Sequence, residues 1–274
     1  MNPIVFKNGS IQIHAFTGWI MVGVALGVAI LLLTAWTYGK RGTWLATCAP
    51  WLDVAIAAVI AGIIGARIGH VGLNWTYFAA HTDQITDLST GGLDWHAAVI
   101  LGVPAAIGMA ARRRVPLRGL LNALAFALPL GAIAAWEASV AASAVYGLEV
   151  RTLADFPAWL VIESPDIYGI TAPRLNLLPA GLALSGVVLL VVVILSIGRR
   201  LSGSRFYLAL ALYSLGQAVI DVFRADYIPS GFGHRADQLL DLALALAAIL
   251  CFALPYLARM PRRRKAIQTV SQGV

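Results

Sequence analysis

Gly91-Gly92-Leu93-Asp94-Trp95-His96 opens an apolar run that closes in Arg112-Arg113-Arg114-Val115-Pro116. The run between them has the length that crosses a hydrocarbon core of roughly 30 Å. It puts a histidine at one face of a bilayer and an arginine cluster at the other. That arrangement orients the span and brings candidate chemistry to a membrane surface.

Working outward, six more apolar runs of similar length appear, and the seven expected spans cover 13–37, 50–73, 93–111, 119–146, 175–198, 206–226 and 236–259. The fourth is long enough to tilt or to leave the bilayer before its end. The chain is 59% hydrophobic and 12% charged, with mean hydropathy +0.80, which excludes an ordinary soluble domain. The first run lacks a preceding basic region and a small-residue cleavage site, and it exceeds the roughly 7–15 apolar residues of a signal peptide. It is expected to remain as a helix. The expected fold is therefore all-α: one polytopic integral-membrane domain over 1–274, ending in a basic tail at 260–274.

The net charge of +7 is distributed as a topology signal. Fourteen lysines and arginines, at 40, 41, 112–114, 118, 199, 200, 205, 259 and 262–265, fall in alternate connections or the tail. Lys7, Arg151, Arg174, Arg224 and Arg235 fall on the other side, and Arg67 lies within a span. The positive-inside rule then puts the N-terminus outside and the C-terminus in the cytoplasm. This pattern argues against nucleic acid as a partner. Cys48 and Cys251 fall near the cytoplasmic side, with no second thiol or histidine at metal-ligand spacing, and read as inert.

In that topology all five histidines (His14, His70, His81, His96 and His234) and most acidic residues lie at outer helix ends or in outer loops. The long connections, 74–92 and 147–174, are outer as well, and long loops are where binding surfaces usually reside. Within or near the ends of the spans stand Asp53, Arg67, Glu137, Asp221, Arg224 and Asp241. Ionisable groups at such depth face a cavity or one another, either as functional groups or as interhelical polar contacts. Gly62, Gly65, Gly69 and Gly72 form a smooth helix face for close contact, and Arg67 and His70 project from roughly the opposite one. A guanidinium there can hold a lipid phosphate bidentately or pair with Glu137 or Asp221. His96 reads either as an interfacial helix-start residue beside Trp95 or as a group suited to proton transfer.

These segments resemble the prolipoprotein diacylglyceryl transferase family. Gly91-Gly92-Leu93 with His96 and the basic exit is similar to its third span, and Gly65-Ala66-Arg67-Ile68-Gly69 to its second-span Gly-x-Arg-x-Gly. Tyr146-Gly147 with Ala154-Asp155-Phe156-Pro157-Ala158-Trp159 resembles the loop after the fourth span. Gly216-Gln217-Ala218-Val219-Ile220-Asp221-Val222-Phe223-Arg224 resembles the sixth span, and Asp237-Gln238-Leu239-Leu240 the start of the last. The resemblance covers nearly the whole chain in order. It implies a seven-helix protein of the bacterial cytoplasmic (inner) membrane that moves the diacylglyceryl group of phosphatidylglycerol to the thiol of a lipobox cysteine. The implied partners are phosphatidylglycerol or another anionic phospholipid and a prolipoprotein lipobox peptide. No metal or organic cofactor is implied. The implied catalytic residues are His96 and Asp221, and the implied phospholipid-binding residues are Arg67 and Arg224.

Several family positions are replaced. Trp136 and Gln217 stand where the family has arginines, Ser139 and Ala142 where it has asparagines, and Phe16 where it has a tyrosine. Ala97-Ala98 replaces the family's glycines, and the His-Pro-x-Gln-x-Tyr-Glu motif is missing from 175–181. Fixed positive charge is commonly the largest catalytic contribution at such a centre. Two readings therefore stand: an acting transferase, or a catalytically lapsed relative that binds phospholipid or lipoprotein as a carrier, sensor or assembly subunit. A transporter reading finds little support, since no internally repeated halves accompany Pro129 and Pro179.

Overall fold

The computed structural model describes residues 4–8, 11–38, 43–88, 91–154, 156–166, 168–226, 230–231 and 233–259. The expected tail at 260–274, Asp155, and Lys40 and Arg41 lie outside the described residues. Eight α-helices are present among these: α1 Ala15–Tyr38, α2 Trp44–Leu73, α3 Trp75–Phe78, α4 Trp95–Arg113, α5 Leu117–Ala141, α6 Leu178–Ile197, α7 Arg205–Ile220 and α8 Ala236–Arg259. All but the single-turn α3 are long and apolar enough to cross a membrane, giving seven candidate spans.

Three span limits differ by five residues or more from the expected ones, the helix of the sixth span, α7, ending at Ile220 with a 3₁₀ turn over Asp221–Phe223 rather than at 226. The second helix starts at Trp44 rather than near Pro50, because the Thr43 side chain caps it by accepting from the Ala46 amide at 3.4 Å. Pro50 is carried inside the helix. The fourth span ends at Ala141 rather than 146. Ala142 closes it and Ser143 turns the chain with φ 53°, a stop that an alanine-rich sequence does not announce.

The helix contacts are close where side chains are small. Along α2 and α4, a Cβ added to Gly65 would stand 2.5 Å from the Ala97 carbonyl oxygen, and one on Gly69 2.5 Å from the Ala97 Cβ. Gly102 of α4 approaches the Ala58 oxygen in the same way. These residues let two backbones meet where lipid supplies no hydrophobic drive. Gly72 has open space instead, so the expected glycine face is three residues long rather than four. The helix α1 runs along α5, with Gly23 against Ala134 and Gly27 against Ala127. The α5 helix also contacts α6 and α7, and α7 contacts α8.

The connections at one end are mixed, with the short α3 and a 3₁₀ turn over Thr82–Gln84 between α2 and α4 and strands in the others. Hairpins β1–β2 (Ile4–Asn8, Ile11–His14), β3–β4 (Val161–Pro165, Thr171–Leu175) and β5–β6 (Ser230–Gly231, His234–Arg235) are all antiparallel. The all-α expectation thus holds for the spans and not for this end. Residues 146–150 join β4 through Leu175 N–H to Leu148 O (3.0 Å) and Val150 N–H to Pro173 O (2.9 Å). They also join the chain after α7 through Leu148 N–H to Phe223 O (2.9 Å) and Ala225 N–H to Tyr146 O (2.9 Å). This small layer lies across the ends of α5, α6 and α7. At the opposite end Arg113 Nε meets Asp53 Oδ2 at 2.8 Å.

Candidate functional site

The start of α4 is built by its glycines. Gly91 and Gly92 have φ 98° and 78°, the left-handed region that favours glycine. A Cβ on Gly92 would stand 2.7 Å from Arg67 Nη1 and from the His70 ring. Asp94 then caps the helix, its Oδ1 accepting from Ala97 N–H at 2.7 Å, while its own N–H donates to Ala66 O at 2.9 Å. The second carboxylate oxygen of Asp94 meets His96 Nδ1 at 3.0 Å. On the other side His96 Nε2 meets Asp241 Oδ1 of α8, also at 3.0 Å. His96 and Asp241 are 2% and 0% exposed, and Trp95 lies over the imidazole at 4.4 Å between centroids.

With a carboxyl group at each nitrogen, two N–H···O bonds require the doubly protonated ring; a neutral ring needs one protonated carboxyl. Neither nitrogen faces open space. Any proton passing to or from His96 therefore travels through Asp94 or Asp241.

Asp221 and Arg224 lie at the neighbouring corner. The buried Asp221, in the 3₁₀ turn Asp221–Phe223 that ends α7, lies against Asp241. Its Oδ1 accepts from Arg224 Nη1 at 2.9 Å and from Gln217 Nε2 at 3.4 Å. Arg224 forks onto Asp226 through Nε (2.9 Å) and Nη2 (2.7 Å) and reaches Asp237 at 3.2 Å. Arg235 closes the cluster on Asp226 and Asp237 at 3.2 and 3.0 Å. Burial alone would lower the pKa of Arg224, but the hydrogen bond and charge of Asp226, then Asp221 and Asp237, raise it above the ordinary guanidinium value. Arg235 is raised by the same balance, with Asp237 as its principal partner. His96 and Asp221 thus come together, through Asp241, in one polar chain spanning α4, α8 and the end of α7.

Arg67 stands apart from that chain. Its Nε donates to Ile85 O (2.7 Å), Nη2 to Gln84 O (2.6 Å), and Nη1 to Gly91 O (3.1 Å) and Gly92 O (3.0 Å). The guanidinium carbon lies 5.2 Å from the Phe78 ring centroid. Neither carboxylate considered from sequence, Glu137 or Asp221, is among these partners. Arg67 ties the long 74–94 connection onto α2 beside the start of α4.

The replaced positions line the same interior. Trp136 is buried against Gly181 of α6, and its indole N–H donates to the buried Tyr213 hydroxyl. Among the described residues, four buried oxygens lack a hydrogen-bond partner: Ser214 Oγ, Gln217 Oε1, Asp221 Oδ2 and Asp241 Oδ2. Sequence reasoning did not single out Asp94, Asp241, Asp226, Asp237 or Arg235 as site residues. Asp94 carries a local signal, since an aspartate three residues before Ala97 is a helix cap. The spacing of Asp237 and Asp241 puts both on one face of α8. Nothing local pairs Asp241 with a histidine 145 residues away.

The family model described as prolipoprotein diacylglyceryl transferase matches residues 3–254. Among similar curated proteins, the phosphatidylglycerol–prolipoprotein diacylglyceryl transferase of Shouchella clausii is 30% identical over 254 residues, covering 91% of this chain and 88% of its own length. The proteins of the same name from Symbiobacterium thermophilum and Lactobacillus gasseri are 30% and 28% identical, each over 91% of this chain, and are covered over 90% and 89% of their lengths.

Proposed function

Because the chain belongs to the prolipoprotein diacylglyceryl transferase family, we propose that it transfers the diacylglyceryl group of phosphatidylglycerol to the cysteine thiol of a prolipoprotein. In this reaction a sulfur–carbon bond forms and the adjacent carbon–oxygen bond to phosphate breaks. Glycerol phosphate leaves with the electron pair, and the thiol proton passes to the protein.

The observation that carries this reading is the continuous chain Asp94–His96–Asp241–Asp221–Arg224 at the loop-rich end of the bundle. No N–H or hydroxyl donor meets Asp221 Oδ2 or Asp241 Oδ2, and the adjoining carboxyl pair accepts the thiol proton between them. His96 fixes Asp241 and takes part in the transfer through it. Arg224, its charge met by Asp221, Asp226 and Asp237, orients Asp221, and Arg67 contributes positive charge for the phosphate. The Arg67 charge rests on carbonyl dipoles rather than on a carboxylate, so it still attracts an anion over the Gly91–Gly92 turn. The distribution of lysines and arginines supports a cytoplasmic basic end and an outer loop-rich end that includes the N-terminus, and the seven apolar helices with the bacterial relatives support a bacterial inner membrane as the location.

The test is transfer by the purified protein in nanodiscs containing labelled phosphatidylglycerol, with a lipobox peptide as acceptor and an arginine-intact family member as control. Thioether product is expected, falling about a hundredfold or more in His96→Ala and Asp221→Asn. A second reading is favoured by one specific observation: Trp136 and Gln217 replace charged residues, and carboxylates surround Arg224. That reading is a lapsed relative that holds phospholipid or lipoprotein without reacting. Absence of product from protein that still retains phosphatidylglycerol would select it.

A further inference from the structure

The arginines near the loop-rich end divide by what their N–H groups meet. Arg67 is bonded to carbonyls, Arg224 to carboxylates, and Arg235 to both. Arg174 differs. It lies on β4, 6% exposed, and its Nε is buried without a hydrogen-bond partner. Two carboxylates approach it, Glu149 and Asp166, each at 3.6 Å from Nη2, beyond hydrogen-bonding range. Asp166 is already held by its own turn, where Oδ1 accepts from Tyr168 and Ile170 N–H at 2.8 and 2.9 Å. The Glu149 side chain is 63% exposed and free to swing into solvent. The Tyr146 ring supports the guanidinium from one face at 5.0 Å.

A buried guanidinium with unmet donors is costly unless a ligand completes it, and its planar fork matches phosphate oxygens. The 146–150 segment links Arg174 to the polar chain. Glu149 is paired with Arg174 and Gly147 with Arg224, so one short segment holds both arginines at the same end of the bundle. We infer that Arg174 binds the phosphate of an anionic headgroup, with Glu149 as the carboxylate that the phosphate displaces. Arg174 thereby supplies the fixed charge that Trp136 and Gln217 no longer carry. The inference rests on the transferase-family reading for its lipid, phosphatidylglycerol.

The test is the affinity of detergent-solubilised full-length protein for tail-labelled phosphatidylglycerol, with inorganic phosphate as competitor. Arg174→Gln is expected to weaken lipid binding about tenfold or more, with Arg174→Lys in between. Glu149→Gln is expected to tighten it severalfold, an effect that misfolding does not mimic. Competition by phosphate in wild type but not in Arg174→Gln would identify free phosphate as a second source of the same ligand. Lack of competition alongside the Arg174 effect would assign the site to the lipid alone. Unchanged affinity in Glu149→Gln, or in an Arg174→Gln protein with wild-type melting, would overturn the inference. Binding through Arg174 without thioether formation would keep it and sink the transferase reading; transfer that survives Arg174→Gln with full lipid affinity would do the reverse.

Discussion

Arg67, near the end of α2, and Arg224, just past α7, lie at the same end of the bundle and meet burial in opposite ways. Arg67 donates to four backbone carbonyls of one loop. Arg224 makes its contacts with the carboxylates of Asp221, Asp226 and Asp237. Carbonyls satisfy the donors without cancelling the charge, so the α2–α4 side keeps a net positive centre. Carboxylates cancel it and overshoot: the polar chain and its cluster hold Asp94, Asp221, Asp226, Asp237 and Asp241 against His96, Arg224 and Arg235. One arginine organises a loop and keeps its field, while the other fixes acidic groups in a dry interior. The family's phosphate chemistry needs the first kind of charge. In this chain that kind survives on the α2–α4 side, whereas Arg174 keeps one unpartnered Nε beside two carboxylates.

The largest expected effect tests the α7–α8 side. Arg224→Gln leaves Asp221, Asp226 and Asp237 without their shared cation, and removing one partner of a buried ion pair costs about 3–5 kcal/mol. The variant should melt far below wild type in detergent. Adding Asp226→Asn should recover part of the loss, because fewer uncompensated carboxylates remain. A double variant no more stable than the single one would mean that the cluster is not electrostatically coupled.

On the α2–α4 side, Arg67→Gln removes charge-assisted bonds to neutral acceptors that can partly turn to water. The expected loss is smaller, about 2–3 kcal/mol, and concentrated in the 74–94 connection. Limited proteolysis should therefore show cleavage there before the helices melt. Uniform destabilisation with no selective cleavage would contradict the loop-holding role.

What the sequence made legible follows the same division. The α2–α4 side is written locally: a glycine face, a Gly-Gly turn, an aspartate cap and a histidine within six residues. Hydropathy likewise locates seven spans, because bilayer thickness imposes a length. The α7–α8 side is written non-locally. The Asp241–His96 contact joins residues 145 apart, and helix periodicity identifies a face without naming its neighbour. The β-hairpins at this end were missed because their strands are two to five residues long and lie among turn residues. Arg174 was visible only as one basic residue of an outer loop. Its unpaired Nε is a property of packing.

Two further substitutions sharpen the contrast within α2 itself. Gly69→Leu drives a side chain into Ala97 and Asp94, where even a Cβ meets atoms at 2.5 and 2.9 Å. Overpacking of this kind costs about 1–3 kcal/mol, and here it also shifts the Asp94 cap that positions His96. Lower melting and weaker transfer should appear together. Gly72 lies three residues on, with nothing within 4 Å of an added Cβ. Gly72→Ala fills no contact and removes a glycine from a helix, a change worth at most about 0.5–1 kcal/mol in favour of the fold. Melting should be unchanged or slightly raised, and lipid binding unaffected. If Gly72→Ala proved as damaging as Gly69→Leu, the close approach of α2 and α4 would extend a full turn further toward the loop-rich end. The space beside Arg67 and His70 would then be smaller than the present geometry gives.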